Sequence, residues 1–213
     1  MTNDVMRVRL VILVSKSPRR RQLLEEAGFT VTVESPGFDD GLLNPGSTAP
    51  EQWVKMLALK KAATVGDRLT QSSTGDRKTE ADAILGADTV CVVDGKILGQ
   101  PFDAEHARRM LRMLRGREHL TMTGVGLYLH QARWTAQNWT DIATVRVGYI
   151  DDEAIEAYVA SGNWQGKAGA YNLSERIEAG WPITCEGDPT TVMGLPMRRL
   201  TAIMQPAERR SAT

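Results

Sequence analysis

Three short stretches of this chain bring residues capable of chemistry into close spacing. The first is Ser15-Lys16-Ser17-Pro18-Arg19-Arg20-Arg21, which follows an apolar run and opens a helical pattern. Three arginines in a first helical turn oppose the partial positive charge and unpaired amides found there. An anion docked at that end removes the conflict, accepting hydrogen bonds from amides, serine hydroxyls and guanidinium forks. A solvated basic face on an exposed helix accommodates the same residues without a ligand. The second stretch is Gly86-Ala87-Asp88-Thr89-Val90, an aspartate inside otherwise apolar strand sequence. Burying that carboxylate is costly unless it is paired or bound to metal. Asp88 could therefore hold a divalent ion or take a proton from an attacking water, or it could simply bond its own backbone at a strand start. Asp39 and Asp40, in a loop, add oxygen ligands of the kind that suit Mg²⁺ or Mn²⁺. The third stretch, Gly166-Lys167-Ala168-Gly169-Ala170-Tyr171, sets one cation among small residues, which permits close backbone approach to a ligand or a plain turn.

Other chemistries are excluded by spacing. The only imitation of a phosphate-binding P-loop, Gly162 to Gly166-Lys167-Ala168, is one residue short and ends in alanine rather than Ser/Thr. His106, His119 and His130 show no zinc-ligand spacing and read as structural residues on a helix, at strand edges or in loops. Cys91 and Cys185 are far apart in sequence, which excludes a Cys-x-x-Cys motif and a disulfide-rich scaffold. Lys+Arg and Asp+Glu both number 26, so a protein that coats nucleic acid through general positive charge is disfavoured. Leu10 to Val14 follows Arg7 and Arg9, faintly like a secretory leader, but is too short and runs into further basic residues. These features predict a soluble cytoplasmic protein.

The elements that must position the three stretches follow from periodicity and caps. Leu10–Val14 reads as a buried strand, with Ser17 as N-cap and Pro18 as first residue of a helix that stops at Gly28. Thr30–Glu34 reads as a second strand. Thr48 and Glu51 form a capping box for a helix that fades near Gly66. Residues 71–82 read as an exposed loop, and Ile84–Val93 as a strand turning at Asp94-Gly95. Asp103 caps a helix ending at Gly116, with Ala107, Met110, Leu111 and Leu114 on one face. Met110, Met113 and Met122 read as one core-filling group. Leu120–Leu129 and Trp139–Tyr149 read as strands, and Asp151 caps a short helix. A loop-rich stretch from Gly166 to Thr191 leads to a final helix and a fraying tail from Pro206. Strands and helices mix without strict alternation, predicting an α/β fold with a mixed sheet.

The order of the motifs is more specific than any one of them. Leu13-Val14-Ser15-x-Ser17-Pro18-Arg19-Arg20-x-x-Leu23-Leu24 is followed by Gly86-Ala-Asp-Thr-Val90, Pro101-x-Asp103-x-x-x-Ala107 and Gly116-x-x-His119. Lys167-Ala-Gly-Ala-Tyr171 and Gly194-Leu-Pro196 complete the series. From about Val11 to Met204 this resembles the Maf family, named for septum formation and containing nucleoside triphosphate pyrophosphatases. The resemblance implies a fold like that of inosine triphosphatases, an elongated mixed sheet flanked by helices with two lobes around a central cleft. It fits a single domain over residues 1–213, with its core at about 10–204, an exposed loop at 71–82 and a frayed tail at 206–213.

The implied activity is metal-dependent hydrolysis between the α- and β-phosphates of dTTP, UTP or related, including modified, nucleotides, giving a monophosphate and pyrophosphate. The resemblance makes Asp88 the proton acceptor and a metal ligand, with Asp39 or Asp40 on the metal side. It makes Ser15, Ser17, Arg19, Arg20, Lys61, Gln100 and Lys167 phosphate-binding positions, and Arg19, Thr89 and Ser174 the base-specificity positions. It further implies Mg²⁺ or Mn²⁺ as cofactor, a homodimer, and no membrane or stable nucleic-acid partner. The competing expectation is a non-catalytic nucleotide-binding or cell-division regulatory protein. Two departures stand out. Gln100 replaces a family lysine, and Asn172-Leu-Ser-Glu-Arg176 replaces the usual Gly-Ile-Gln-Gly. Ser174 then stands where the dTTP/UTP class has glutamine, which predicts a relaxed base preference, with Glu175 or Arg176 as substitute contacts. Lys96 and Arg176 are the cations available to replace the lost lysine.

Overall fold

The computed structural model describes residues 7–38, 43–71, 81–130 and 133–205. Strand β1 (Leu10–Val14) is buried at four of its five positions, which is why its sequence is continuously apolar rather than alternating. It pairs in parallel with β2 (Thr30–Glu34) on one side and with β3 (Ala83–Val93) on the other. β4 (Lys96–Leu98) folds back on β3 through Asp94 and Gly95, whose φ angles of 49° and 74° suit a two-residue hairpin. β3 also pairs antiparallel with β5 (Glu118–His130), β5 with β6 (Trp134–Val147), and β6 with β7 (Ile183–Glu186). The result is a seven-stranded mixed sheet in the order β2-β1-β3-β5-β6-β7, with β4 on the β3 edge. Helices flank it, as the α/β reading predicted.

Helix α1 (Pro18–Glu26) begins as its sequence dictates, with the Ser17 hydroxyl accepting from the Arg20 amide and proline in the first position. Asp103 and Asp151 likewise cap α3 (Ala104–Leu114) and α4 (Asp152–Ala160). Helix α2 (Pro50–Gln71) departs from expectation at both ends. The Ala49 carbonyl accepts the first helical bond, from Trp53, so the Thr48–Glu51 pair is one residue out of register for a capping box. Past Gly66 the helix continues, because one glycine costs only ~1 kcal/mol and buried Val65 and Ala62 pack against Ile84 and Ile12.

The stretch read as loop between Gly166 and Thr191 holds a 3₁₀ turn at Ala168–Ala170, α5 (Leu173–Glu178), β7 and α6 (Pro189–Val192). These elements are too short to show periodicity. They are marked instead by their caps, Asn172 and Asp188, whose side chains accept from the Glu175 and Thr190 amides. Helix α7 (Met197–Met204) closes the chain's described part.

Even-numbered residues of β3 face α2, and odd-numbered ones face the opposite layer. On that second face, Ala83, Leu85 and Ala87 join α1 and α7 in one apolar cluster, while Cys91 and Val93 join α3 and α4 in another. The methionines do not form one group: Met110 and Met122 are buried in different clusters, and Met113 is exposed. His119 is a buried β5 residue rather than an edge one, bonded through Nε2 to the Tyr171 hydroxyl at 2.9 Å. Burial lowers its pKa to about 4, with nearby Glu118 opposing weakly. Of the stretch expected as exposed loop, Gln71 closes α2, Ala81 is buried, and the Asp82 carboxylate accepts from the Arg9 and Leu10 amides. Residues 72–80, and the tail from Pro206, lie outside the described residues.

Candidate active site

Strand β3 changes neighbours along its length. Its register with β1 ends at Val14↔Gly86, and its register with β4 begins at Cys91↔Leu98. Between them, residues 87–90 present an edge that neither strand covers. β1 ends there at its carboxyl end, the usual place for a ligand crevice in a parallel arrangement. A cavity of about 1010 Å³ opens at this gap, with Ser15, Ser17 and Arg20 on one wall and Gln100, Lys167 and Tyr171 on the other. Asp88 reaches it from one face of β3 and Thr89 from the other.

Asp88 is 9% exposed and Lys61 6% exposed, so neither charge could sit there alone. They are paired, Lys61 Nζ to Asp88 Oδ1 at 2.7 Å. Three glycines make the pairing possible. Gly86 lies two residues from Asp88 on the α2 face, and Gly126 and Gly124 stand opposite these two on β5. A Cβ on Gly86 would lie 2.4 Å from the Ala58 carbonyl oxygen, and one on Gly124 would lie 2.2 Å from that of Val54. Helix backbone therefore rests directly on sheet backbone, and Lys61 is lowered onto the carboxylate.

The arginines separate. Arg20 points into the gap, with Nη1 donating to Ser15 Oγ at 3.1 Å, Nη2 to Thr89 Oγ1 at 3.0 Å and Nε to the Gly194 carbonyl at 2.9 Å. Arg19 turns toward α5, donating from Nη1 to Gln22 at 3.2 Å and from Nη2 to Ser174 Oγ at 3.0 Å. The cluster of Ser15, Ser17 and Arg20 at the α1 N-terminus is the arrangement an anion favours.

Ser15, Ser17, Arg19, Arg20, Lys61, Asp88, Thr89, Gln100 and Lys167 all line the cavity, and Ser174 meets it through Arg19. Lys167 is paired with Glu175 at 2.7 Å, so an incoming phosphate has to compete with a carboxylate for it. Glu175 in this position was visible in sequence only as a stand-in base contact. Neither candidate replacement for the missing lysine lines the cavity. Lys96 is exposed on β4, and the Arg176 guanidinium lies 4.3 Å from the centre of the Tyr158 ring. Asp39 and Asp40 fall outside the described residues.

Among the described residues no three His, Cys, Asp or Glu converge as a metal cage. Mg²⁺ and Mn²⁺ do not require one, since hard ions carried by substrate phosphates take one or two protein carboxylates and keep their waters. The carboxylate of Asp88, at the floor of a cavity walled by anion-binding groups, fits that limited role.

The family model described as Maf-like protein matches residues 10–207. A dTTP/UTP pyrophosphatase of Pelotomaculum thermopropionicum is 37% identical over 195 residues, covering 92% of this chain and 95% of that protein. Proteins named dTTP/UTP pyrophosphatase from Salinibacter ruber and Thermotoga maritima are 39% and 36% identical, covering 89% and 88% of this chain and 87% and 84% of their own lengths. A crystal structure of a nucleoside-triphosphatase / dITP/XTP pyrophosphatase from Mycobacterium abscessus aligns at 15% identity with a TM-score of 0.36, covering 66% of this chain and 75% of that one, too partial a likeness to add to these.

Proposed function

The chain belongs to the Maf family, and from that premise we propose that it hydrolyses the α–β anhydride of pyrimidine nucleoside triphosphates, dTTP and UTP first among them, to monophosphate and pyrophosphate. The observation that carries the reading is the meeting of an anion-binding cluster and a lysine-held carboxylate across one uncovered strand edge. In this reading Ser15, Ser17, Arg20 and the α1 amides bind the phosphates, and their hydrogen bonds strengthen as charge moves onto the departing pyrophosphate. Lys61 holds Asp88 in one orientation, and Asp88 accepts the proton of the attacking water. Mg²⁺ or Mn²⁺, held by Asp88 when bound, would neutralise phosphate charge that otherwise repels a nucleophile.

Base selection falls to the Arg19 end of the cleft. Ser174 donates its single hydroxyl proton to Asn172 Oδ1 at 3.0 Å and accepts from Arg19. It has no second proton to offer a base carbonyl, which supports a relaxed preference. A cytoplasmic homodimer belongs to the same proposal by family membership. A purely regulatory nucleotide binder has no need of a buried carboxylate beside its anion site, and this disfavours the second reading. The test is a panel of dTTP, UTP, CTP, GTP and 7-methyl-GTP incubated with Mn²⁺ or Mg²⁺, with products resolved. Monophosphate plus pyrophosphate, abolished by EDTA, supports the proposal; diphosphate plus free phosphate overturns it.

A further inference from the structure

Hydroxyl protons behind Arg20 run in one direction only. Thr123, fully buried on β5, lies 2.7 Å from the Thr191 carbonyl oxygen, which can only accept, so Thr123 spends its single proton there. Thr89 lies 2.9 Å from Thr123, and in that pair Thr89 must be the donor. The proton of Thr89 is thereby committed, and its hydroxyl oxygen accepts from Arg20 Nη2 at 3.0 Å. The far end is fixed as well: Thr191, also fully buried, donates to Asp141 Oδ2 at 2.5 Å. The chain crosses from β6 and α6 through β5 to β3 and ends on the guanidinium that the Gly194 carbonyl and Ser15 hold from its other sides.

We propose that Thr123 is a positioning residue for Arg20: it takes the Thr89 proton, turns the Thr89 oxygen toward the guanidinium, and so makes Thr89 part of the phosphate clamp rather than a donor to the base. The inference rests on the pyrophosphatase reading for its kinetic consequence, but the geometry it invokes concerns anion binding and can be tested without turnover.

The test is a double-mutant cycle on the full chain, with Thr123→Val, Arg20→Ala, the pair, and Thr123→Ser as the conservative control. Valine keeps the shape of threonine but cannot accept the Thr89 proton; serine can. Two readouts are taken on protein verified as folded by circular dichroism: kcat and KM for dTTP, and calorimetric binding of inorganic pyrophosphate. Thr123→Val is expected to lose ~10-fold in kcat/KM and in pyrophosphate affinity, the scale of one misdirected hydrogen bond to a charged group. In the Arg20→Ala background the same change should cost less than ~2-fold, because the interaction it supports is gone. Thr123→Ser should stay within ~2-fold of the parent. Equal losses in both backgrounds, no loss at all, or failure of serine to rescue would each overturn the assignment. A parent that hydrolyses neither dTTP nor UTP would instead sink the functional reading, and the pyrophosphate cycle would still decide the role of Thr123.

Discussion

Replacing Gly86 with alanine tests whether backbone contact between α2 and the sheet sets the geometry of the site. The new Cβ would lie 2.4 Å from the Ala58 carbonyl oxygen, 2.8 Å from the Ala62 amide nitrogen and 3.1 Å from Lys61 Cβ. Two of the three neighbours are backbone, so no side chain can swing aside. The helix must retreat by ~0.6–1 Å to restore an ordinary separation, at an overpacking cost of ~1–3 kcal/mol. For a chain of this size that lowers Tm by roughly 2–12 °C. The same retreat stretches the 2.7 Å Lys61–Asp88 contact beyond good hydrogen-bond range and misplaces the carboxylate. Displacement on that scale costs about 10²-fold in rate. Stability is read from thermal denaturation and activity from pyrophosphate release by the folded protein. Gly66→Ala is the internal control: among the described residues its Cβ meets only Ile84 Cδ1, at 3.9 Å, so the gain in helix propensity should stabilise by ~0.5–1 kcal/mol with kcat unchanged. A Gly86→Ala protein with parental Tm and kcat would refute the argument that α2 is seated on bare backbone.

Three further outcomes are expected. Asp88→Asn, nearly isosteric, should keep a folded protein while kcat falls by ~10²-fold or more; near-parental turnover would remove Asp88 from proton transfer. The pKa of His119, lowered to about 4 by burial, means the unfolded chain takes up this proton near pH 6.5 while the folded one resists it. The stability it contributes is complete above pH 6.5 and shrinks as pH falls toward 4, by a total of ~3 kcal/mol. Urea midpoints between pH 4 and 8 should therefore fall less steeply for His119→Gln than for the parent, and parallel curves would contradict this. Gln100→Lys should raise kcat/KM for dTTP, since neither Lys96 nor Arg176 lines the cavity; no gain would mean that Lys167 exchanges Glu175 for phosphate readily enough to supply the missing charge.

Legible in the sequence are the caps at Ser17, Asp103 and Asp151, the Asp94-Gly95 turn, the buried strands β1 and β3, and the ordered motifs that mark the family. The caps, the turn and the strands each depend on residues within a few positions of one another, so periodicity and turn chemistry reveal them, whereas the family is carried by the order of motifs along the whole chain. The ends of α2 and the short elements after Gly166 are not legible in the sequence, because packing at Val65 outweighs one glycine and because four- to six-residue elements carry no period. Tertiary structure alone decided the rest. Arg19 and Arg20 are adjacent in the chain, yet one turns to Ser174 and the other to Ser15 and Thr89. Lys167 is a phosphate-binding position by resemblance, yet α5 brings Glu175 within 2.7 Å of it. Gly124 and Gly126 looked like ordinary strand residues, although they form the seat that brings Lys61 within 2.7 Å of Asp88. These outcomes depend on which strand lies beside which, on how near a helix can approach a sheet, and on where a hydroxyl's single proton must go. All three are settled by contacts between residues far apart in the chain, and sequence order does not encode their distances.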